Sequence, residues 1–317
     1  MVTGCRDAPA DPRRPLANAP GAYRRNPMGL RVAVAQLSSD DEVPTAERLA
    51  EAGSRVRLAM REAAERDARL VLFHEGALTY PHKRKISSTP GRVGPSDWSL
   101  VDWAALRGEV EHIAADAKEL RLWTVIHSLH PLSDGTRPHN SLYVVSDAGE
   151  IVTRYDKRLL SHTEVSYMYT PGTAPIVFDV DGYRFGSALC IEIQFPEVFL
   201  EYAALGVDCV LFSSSYGADF PRLAQAHASL NSMWVAVAMS EPEDEPCSGI
   251  SGPDGRWITT CDRASPSIAV GDLDREDPAL ASALLGSRWG REIARSGELH
   301  EPAKRPSDPR SADRTRL

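Results

Sequence analysis

The sequence predicts an α/β fold, a four-layer αββα sandwich in which two mixed β-sheets pack face to face between outer layers of helix. Three observations carry this reading. Short apolar runs alternate with longer amphipathic stretches in two separate halves of the chain, the pattern of strand-helix-strand units. Hairpin signals interrupt the alternation at the middle and near the end, so the sheets are mixed rather than purely parallel. With 42% hydrophobic residues in 317, the chain can bury a sizeable core.

Residues 1–27 are rich in Pro, Ala and Arg without a hydrophobic period and read as a disordered extension, with Met28 an alternative start. Residues 28–276 form the folded domain. It opens on LRVAVAQL, a buried strand, after which Pro44 starts a helix to about residue 66 whose Leu49, Val56 and Met60 share one face. RLVLFHE is the second strand and ends in His74 and Glu75; residues 80–99 form a Pro- and Gly-bearing loop long enough to cover a site. A helix over 103–120 leads to the strand LWTVIHSL. SLYVVSDAGEIVTRYDK is a hairpin that turns at Asp147, Ala148 and Gly149 and delivers Lys157. A second hairpin, PIVFDV and YRFGSAL, turns at Asp181 and Gly182 and runs into Cys190. A helix from Pro196 to about residue 205, the strand DCVLFSS, a helix over 221–232 and the strand MWVAVAMS repeat the opening alternation, and RWITT and SIAVGDL close the domain. Residues 277–317 lose periodicity and read as a flexible, charged tail.

Composition narrows the function classes. No run of eighteen apolar residues occurs and the first residues lack an apolar leader, so neither a membrane span nor a signal peptide is expected, and the chain reads as cytoplasmic. The formal charge is -8 and both ends are basic, so the body is more acidic still and does not suit nucleic acid or anionic lipid. Cys5, Cys190, Cys209, Cys247 and Cys261 are an odd number without metal-ligand spacing; neither a disulfide framework nor a metal site is expected. No glycine-rich loop follows any strand, which argues against a dinucleotide or ATP cofactor.

Chemistry concentrates at three strand ends. In YRFGSALCIEIQFP an apolar strand runs into Cys190 and breaks toward a helix that Pro196 can open, so the thiol is held rigidly and the amides after it, Ile191 first, face one spot. Glu75 and Lys157 also end apolar strands. Taken singly, each has a plainer reading: a buried structural thiol, a solvated strand-end acid, a surface lysine. A common sheet edge that gathers all three has the arrangement expected of a cysteine hydrolase.

These motifs, VAVAQL, LVLFHE around Glu75, HNSLYVVSDAGEIVTRYDK before Lys157 and LCIEIQFPE around Cys190, stand in an order that resembles the nitrilase superfamily, the carbon-nitrogen hydrolases. The TPG turn at 170–172, Asn231 and the PDG turn at 253–255 are further matches, and the resemblance runs over about 30–273. It implies the αββα sandwich, a homodimer or higher homo-oligomer assembled through the helices, and a mechanism without cofactor or metal. Glu75 would serve as base, Lys157 and the Ile191 amide as oxyanion donors, and Cys190 as the nucleophile that carries a thioester. Glu164, seven residues after Lys157, matches the second glutamate of the amidases and carbamoyl hydrolases of the family. Leu230 stands where the family often has an acid, and Ile191 and Glu192 replace an acid-aromatic pair, so no subfamily's substrate transfers directly.

The sequence thus points to hydrolysis of a small linear carboxamide or N-carbamoyl compound, with Tyr80, Ile191, Glu192, Ser215 and Tyr216 as pocket residues just beyond strand ends. A nitrilase uses the same triad, an acyl transferase would need a pocket that excludes water, and a non-catalytic scaffold would have no need of an intact triad.

Overall fold

The computed structural model describes residues 29–39, 41–133, 135–240, 248–262, 266–313 and 315. The expected disordered extension 1–27, with Cys5, and Met28 and Cys247 lie outside the described residues. Strands β1 (Leu30–Gln36), β2 (Leu70–Phe73) and β3 (Trp123–His130) are parallel neighbours joined by helices α1 (Ala46–Glu65) and α2 (Trp103–Leu120). The antiparallel pair β4 (His139–Val145) and β5 (Ile151–Asp156) extends that sheet beyond β3. The second half repeats the plan. A short strand β6 (Phe178–Val180) pairs antiparallel with β7 (Tyr183–Leu189), and β7, β8 (Cys209–Ser214) and β9 (Trp234–Met239) run parallel, joined by α3 (Pro196–Ala204) and α4 (Phe220–Asn231). Strands β10 (Gly249–Ser251) and β11 (Trp257–Thr260) follow, and β12 (Ser267–Leu273) crosses back to lie antiparallel beside β1. The strand orders are β12-β1-β2-β3-β4-β5 and β11-β10-β9-β8-β7-β6.

Three apolar layers make this a four-layer sandwich. Ala33 and Ala35 of β1 face α1 and α2, while Val32 and Val34, the alternate residues of the same strand, face the other sheet. Phe199 and Tyr202 of α3 and Ala224 and Ala228 of α4 pack on the outer face of the second sheet. Because both faces of the parallel strands are covered, LVLF and WVAVAM are buried at every position, which is why they read as continuous apolar runs. Each fully buried side chain of the size of Phe73 contributes roughly 1.5–3 kcal/mol.

Local chemistry explains the element ends. Thr45 caps α1 by accepting the Arg48 amide, with Pro44 just ahead of the cap, and Leu49, Val56 and Met60 are buried on one face as their spacing predicts. Asp102 caps α2 through the Ala105 amide. Asp181 and Gly182 both have positive φ, 47° and 86°, the two-residue turn that matches strand twist in a hairpin.

The region after residue 277 departs from expectation. Leu280 is buried, a π-helical turn over Ser282–Ser287 leads into helix α5 (Arg288–Ser296), and Arg291 and Arg295 donate to Ser232 Oγ (2.5 Å) and Asn231 Oδ1 (3.3 Å) at the end of α4. Gly286, Gly290 and the dense charge hide this helix in the sequence; contacts to the body hold it, not propensity. Strand β10, only three residues long, was also not anticipated.

One glycine fixes the approach to Lys157. The Gly172 amide donates to the Lys157 carbonyl at 2.9 Å, and a methyl group on Gly172 would overlap the Asp156 carbonyl oxygen, backbone that cannot swing aside. Gly172→Ala is expected to lower stability by roughly 1–3 kcal/mol, read as a drop in the urea midpoint; an unchanged midpoint contradicts the close approach.

Candidate active site

Each candidate group stands just past a strand terminus. Strand β7 ends at Leu189, and Cys190 turns the chain with φ of 51°, a left-handed conformation that a non-glycine side chain adopts only under constraint. A five-residue 3-10 turn, Cys190–Gln194, and the Pro196-led helix α3 follow. The thiol is buried; that burial, followed by the Glu75 carboxylate, pushes its pKa up to about 12 against the opposing Lys157 ammonium. Free thiolate is therefore scarce at neutral pH, and the sulfur needs a base to react.

Lys157, one residue past β5, has no solvent exposure. Its Nζ donates to Glu164 Oε1 at 2.7 Å and to Glu75 Oε1 at 3.3 Å. Burial alone would depress its pKa, but Glu75, Cys190 and Glu164 raise it well above the usual value, so the ammonium is charged. Glu75, two residues past β2, is equally buried, and its other bonds are also to donors: Asn140 Nδ2 at 2.8 Å on Oε1, and the amide and hydroxyl of Ser215 at 3.3 Å each on Oε2. Burial pushes the carboxyl up, yet Lys157 and the Asn140 hydrogen bond hold it below its ordinary value.

Asn140 and His127 form a relay that the sequence analysis missed. The Gly76 amide donates to His127 Nδ1 at 3.0 Å, so the proton of this imidazole sits on Nε2, which donates to Asn140 Oδ1 at 2.6 Å. The amide group is thereby fixed with its NH2 toward Glu75. A signal was available: Asn140 shares the inward face of β4 with Leu142 and Val144, and a polar side chain there must have a buried partner.

Glu164 sits in a π-helical turn, Glu164–Met168, inside the loop after Lys157. Its Oε2 accepts the Ser161 amide at 2.7 Å, and its Oε1 accepts the Tyr80 hydroxyl at 3.1 Å besides Lys157. Tyr80, Ser215 and Tyr216 line, with Glu164, a cavity of about 420 Å³. Ile191 is half-buried at the start of the turn after Cys190. Glu192 is a correction: it does not line this cavity. Fully buried, it accepts the Leu189 amide at 2.8 Å, the Arg158 and Leu159 amides at 2.8 and 3.0 Å, and the Tyr155 hydroxyl at 2.8 Å, so it ties the Cys190 turn to the loop that follows Lys157. A larger groove of about 640 Å³ lies on the outer face of the first sheet, bordered by Trp103, Arg107 and Tyr143, and none of the candidate groups lines it. Among the described residues no group of three or more His, Cys, Asp or Glu is placed to hold a metal ion, and no helix is long and apolar enough to cross a membrane.

The buried histidines make the fold acid-sensitive. Burial lowers the pKa of His127, and lowers that of His74, whose Nδ1 bonds the Glu75 carbonyl, to about 4 from 6.5. A base with a depressed folded-state pKa contributes stability that is intact above about pH 6.5 and lost as pH falls toward 4, on the order of 3 kcal/mol for His74. The urea midpoint is expected to fall between pH 7.5 and 4.5, and His74→Asn, which retains a donor but cannot titrate, to flatten that fall.

Comparison with known proteins agrees with the fold. The family model described as carbon-nitrogen hydrolase matches residues 31–281. A chloroplastic omega-amidase of Arabidopsis thaliana is 25% identical over 247 residues, 70% of this chain and 63% of that protein. A 2-oxoglutaramate amidase of Bacillus subtilis is 21% identical over 160 residues, 50% of this chain and 52% of that protein, so the chain spans only about half to two thirds of these relatives' lengths. Among solved structures, an amidase from Nesterenkonia sp. superposes with a TM-score of 0.67 at 21% identity, covering 88% of this chain and 99% of that one, which establishes the shared fold. A mutant of that amidase carries the acetamide moiety of fluoroacetamide covalently on its active-site cysteine. By the extent of the family match and the shared αββα sandwich, the chain belongs to the carbon-nitrogen hydrolase family.

Proposed function

We propose that this chain hydrolyses a small linear carboxamide to the acid and ammonia, or an N-carbamoyl compound to the amine, carbon dioxide and ammonia, through a thioester or thiocarbamate on Cys190. The observation that carries this reading is the Lys157 ammonium, buried between the Glu75 and Glu164 carboxylates beside a thiol that does not ionise by itself. Glu75 removes the Cys190 proton as sulfur attacks the carbonyl carbon. An ammonium has three donors, and Lys157 commits two to Glu164 and Glu75, which leaves one for the oxyanion together with the Ile191 amide. Collapse of the tetrahedral intermediate expels the nitrogen, which takes the proton from Glu75 and leaves as ammonia. Glu75 then accepts a proton from water as it attacks the thioester, and returns that proton to the departing sulfur.

Glu164 holds the ammonium at 2.7 Å and lines the cavity, and a carboxylate there would accept from an amide NH2, which favours an amide over a nitrile. The Arabidopsis and Bacillus relatives, both named as amidases, support the same preference. For the homo-oligomer, the exposed Leu200, Leu205 and Leu230 on and beside α3 and α4 supply apolar surface for a second copy.

The test is ammonia release across short amides, N-carbamoyl amino acids and nitriles, with Cys190→Ala as control. Release from amides or carbamoyl compounds is expected and should fall by at least a factor of a thousand in the variant, on the scale of removing a nucleophile. Release from nitriles alone would move the assignment to a nitrilase, and equal release by Cys190→Ala would end it.

A further inference from the structure

Three hydrogen bonds around Glu75 close into a loop that runs in one direction. The Gly76 amide donates to His127 Nδ1 at 3.0 Å, His127 Nε2 donates to Asn140 Oδ1 at 2.6 Å, and Asn140 Nδ2 donates to Glu75 Oε1 at 2.8 Å. The loop starts on the residue after the base and returns to the carboxylate of the base, so main chain and side chain are held against each other. Gly76 sits at φ 95°, and this turn brings its amide to the ring. Glu75, His127 and Asn140 are all fully buried, where each bond is stronger than it would be in water. The bond from Asn140 is also the shortest on Glu75, since Lys157 and both Ser215 donors stand at 3.3 Å.

An asparagine amide keeps nearly the same shape when turned over, and reversed it would set Oδ1 against the Glu75 carboxylate. The His127 donor decides which way it points, and the Gly76 amide decides which ring nitrogen is the donor. A second proton on His127 would set N–H against N–H at Nδ1 and open the loop at Gly76. Glu75, Glu164 and Lys157 are the charges that bear on the ring, Tyr80 stands edge-on to it at 6.2 Å between centroids, and His74 is the neighbouring imidazole. Burial outweighs the two carboxylates and holds the ring below 6.5, so it carries one proton at neutral pH. Resting on the hydrolase reading above, we propose that His127 is a positioning residue for the base: it points the Asn140 amide at Glu75 and so holds that carboxylate ready for the Cys190 proton. Without this donor the amide is free to turn, and a buried carboxyl that loses its shortest hydrogen bond moves up in pKa.

The test reads Cys190 alkylation by chloroacetamide, and ammonia release from the best amide of the panel above, against pH from 5.5 to 9. The proteins compared are the wild type, His127→Gln, His127→Asn and Asn140→Ala. A Gln side chain can place an NH2 near the position of Nε2, whereas an Asn side chain is too short to reach Asn140. His127→Asn and Asn140→Ala are expected to lose roughly ten- to hundredfold in alkylation rate and in kcat at pH 7, the scale of one hydrogen bond to a charged group, with KM little changed. Their rates should fall further toward pH 5.5, where the wild type stays level, and His127→Gln should recover most of the rate that His127→Asn loses. Asn140→Ala, which leaves the imidazole in place, carries the comparison should His127→Asn fail to fold. A lower urea midpoint and less active protein, with the pH dependence of the remaining activity unmoved, is the result of a merely structural histidine and overturns the inference. Equal losses in folded His127→Gln and His127→Asn also overturn it, because the donor to Asn140 would then not matter. Unchanged rates in His127→Asn and Asn140→Ala, with ammonia released by the wild type, overturn the positioning role and leave the hydrolase reading standing. Alkylation that depends on His127 in a wild type that releases no ammonia upholds the positioning role and overturns the hydrolase reading instead.

Discussion

Everything at this site depends on burying one ammonium between two carboxylates. Each of Glu75, Lys157 and Glu164 loses its water, at a cost of several kcal/mol per ion, and such a cluster holds only when every remaining oxygen and proton finds a partner. The partners come from separate parts of the fold: Asn140 on β4, Ser215 past β8, Tyr80 in the loop past β2 and Ser161 in the loop past β5. No local segment could assemble them. The constraint falls on the sheets, whose strand ends must present these donors in fixed positions.

The two halves of the chain meet this constraint together. Each builds a parallel three-stranded unit with its helices on one outer face, and the facing sheets bring the end of β2 against the end of β8, where Ser213 Oγ donates to the Phe73 carbonyl at 2.9 Å and Ser215 binds Glu75. Glu192 secures the other contact. A buried carboxylate with three backbone amides and a tyrosine hydroxyl on it fastens the Leu189-Cys190 turn to residues 158 and 159, so that the nucleophile candidate and the ammonium share one rigid frame. The left-handed Cys190 is held in that frame, a strained turn supported by the network around it.

Much of this was legible in the residues. Continuous apolar runs gave the parallel strands because both faces of each are covered, and Asp181-Gly182 gave its hairpin because only such pairs accept two positive φ values. Glu75, Lys157 and Cys190 could be singled out as strand-end polar groups, but their proximity follows from sheet order, which short-range pattern does not encode. Glu164 was reached through the family resemblance and not through spacing. Glu192 was misassigned because an acid two residues past a reactive thiol looks pocket-facing, and only the 3-10 turn directs it inward. The partners of Asn140 and His127 lie more than a dozen residues distant in sequence, so only the polar character of Asn140 on an inward strand face hinted at them, while the glycines and dense charge of α5 hid a helix that contacts to α4 hold.

The central claim is that Glu75, kept ionised by Lys157, takes the proton from a Cys190 thiol that would otherwise stay neutral. The most direct measurement is the rate of Cys190 alkylation by chloroacetamide from pH 5.5 to 9, in the wild type and in Glu75→Gln. With Glu75 below its ordinary pKa and the thiol pushed up to about 12, base-assisted attack predicts a rate nearly independent of pH in the wild type and at least tenfold slower in Glu75→Gln at pH 7. A wild-type rate that climbs tenfold per pH unit, as a free thiol with so high a pKa requires, and a Glu75→Gln variant that reacts as fast or faster, would contradict it.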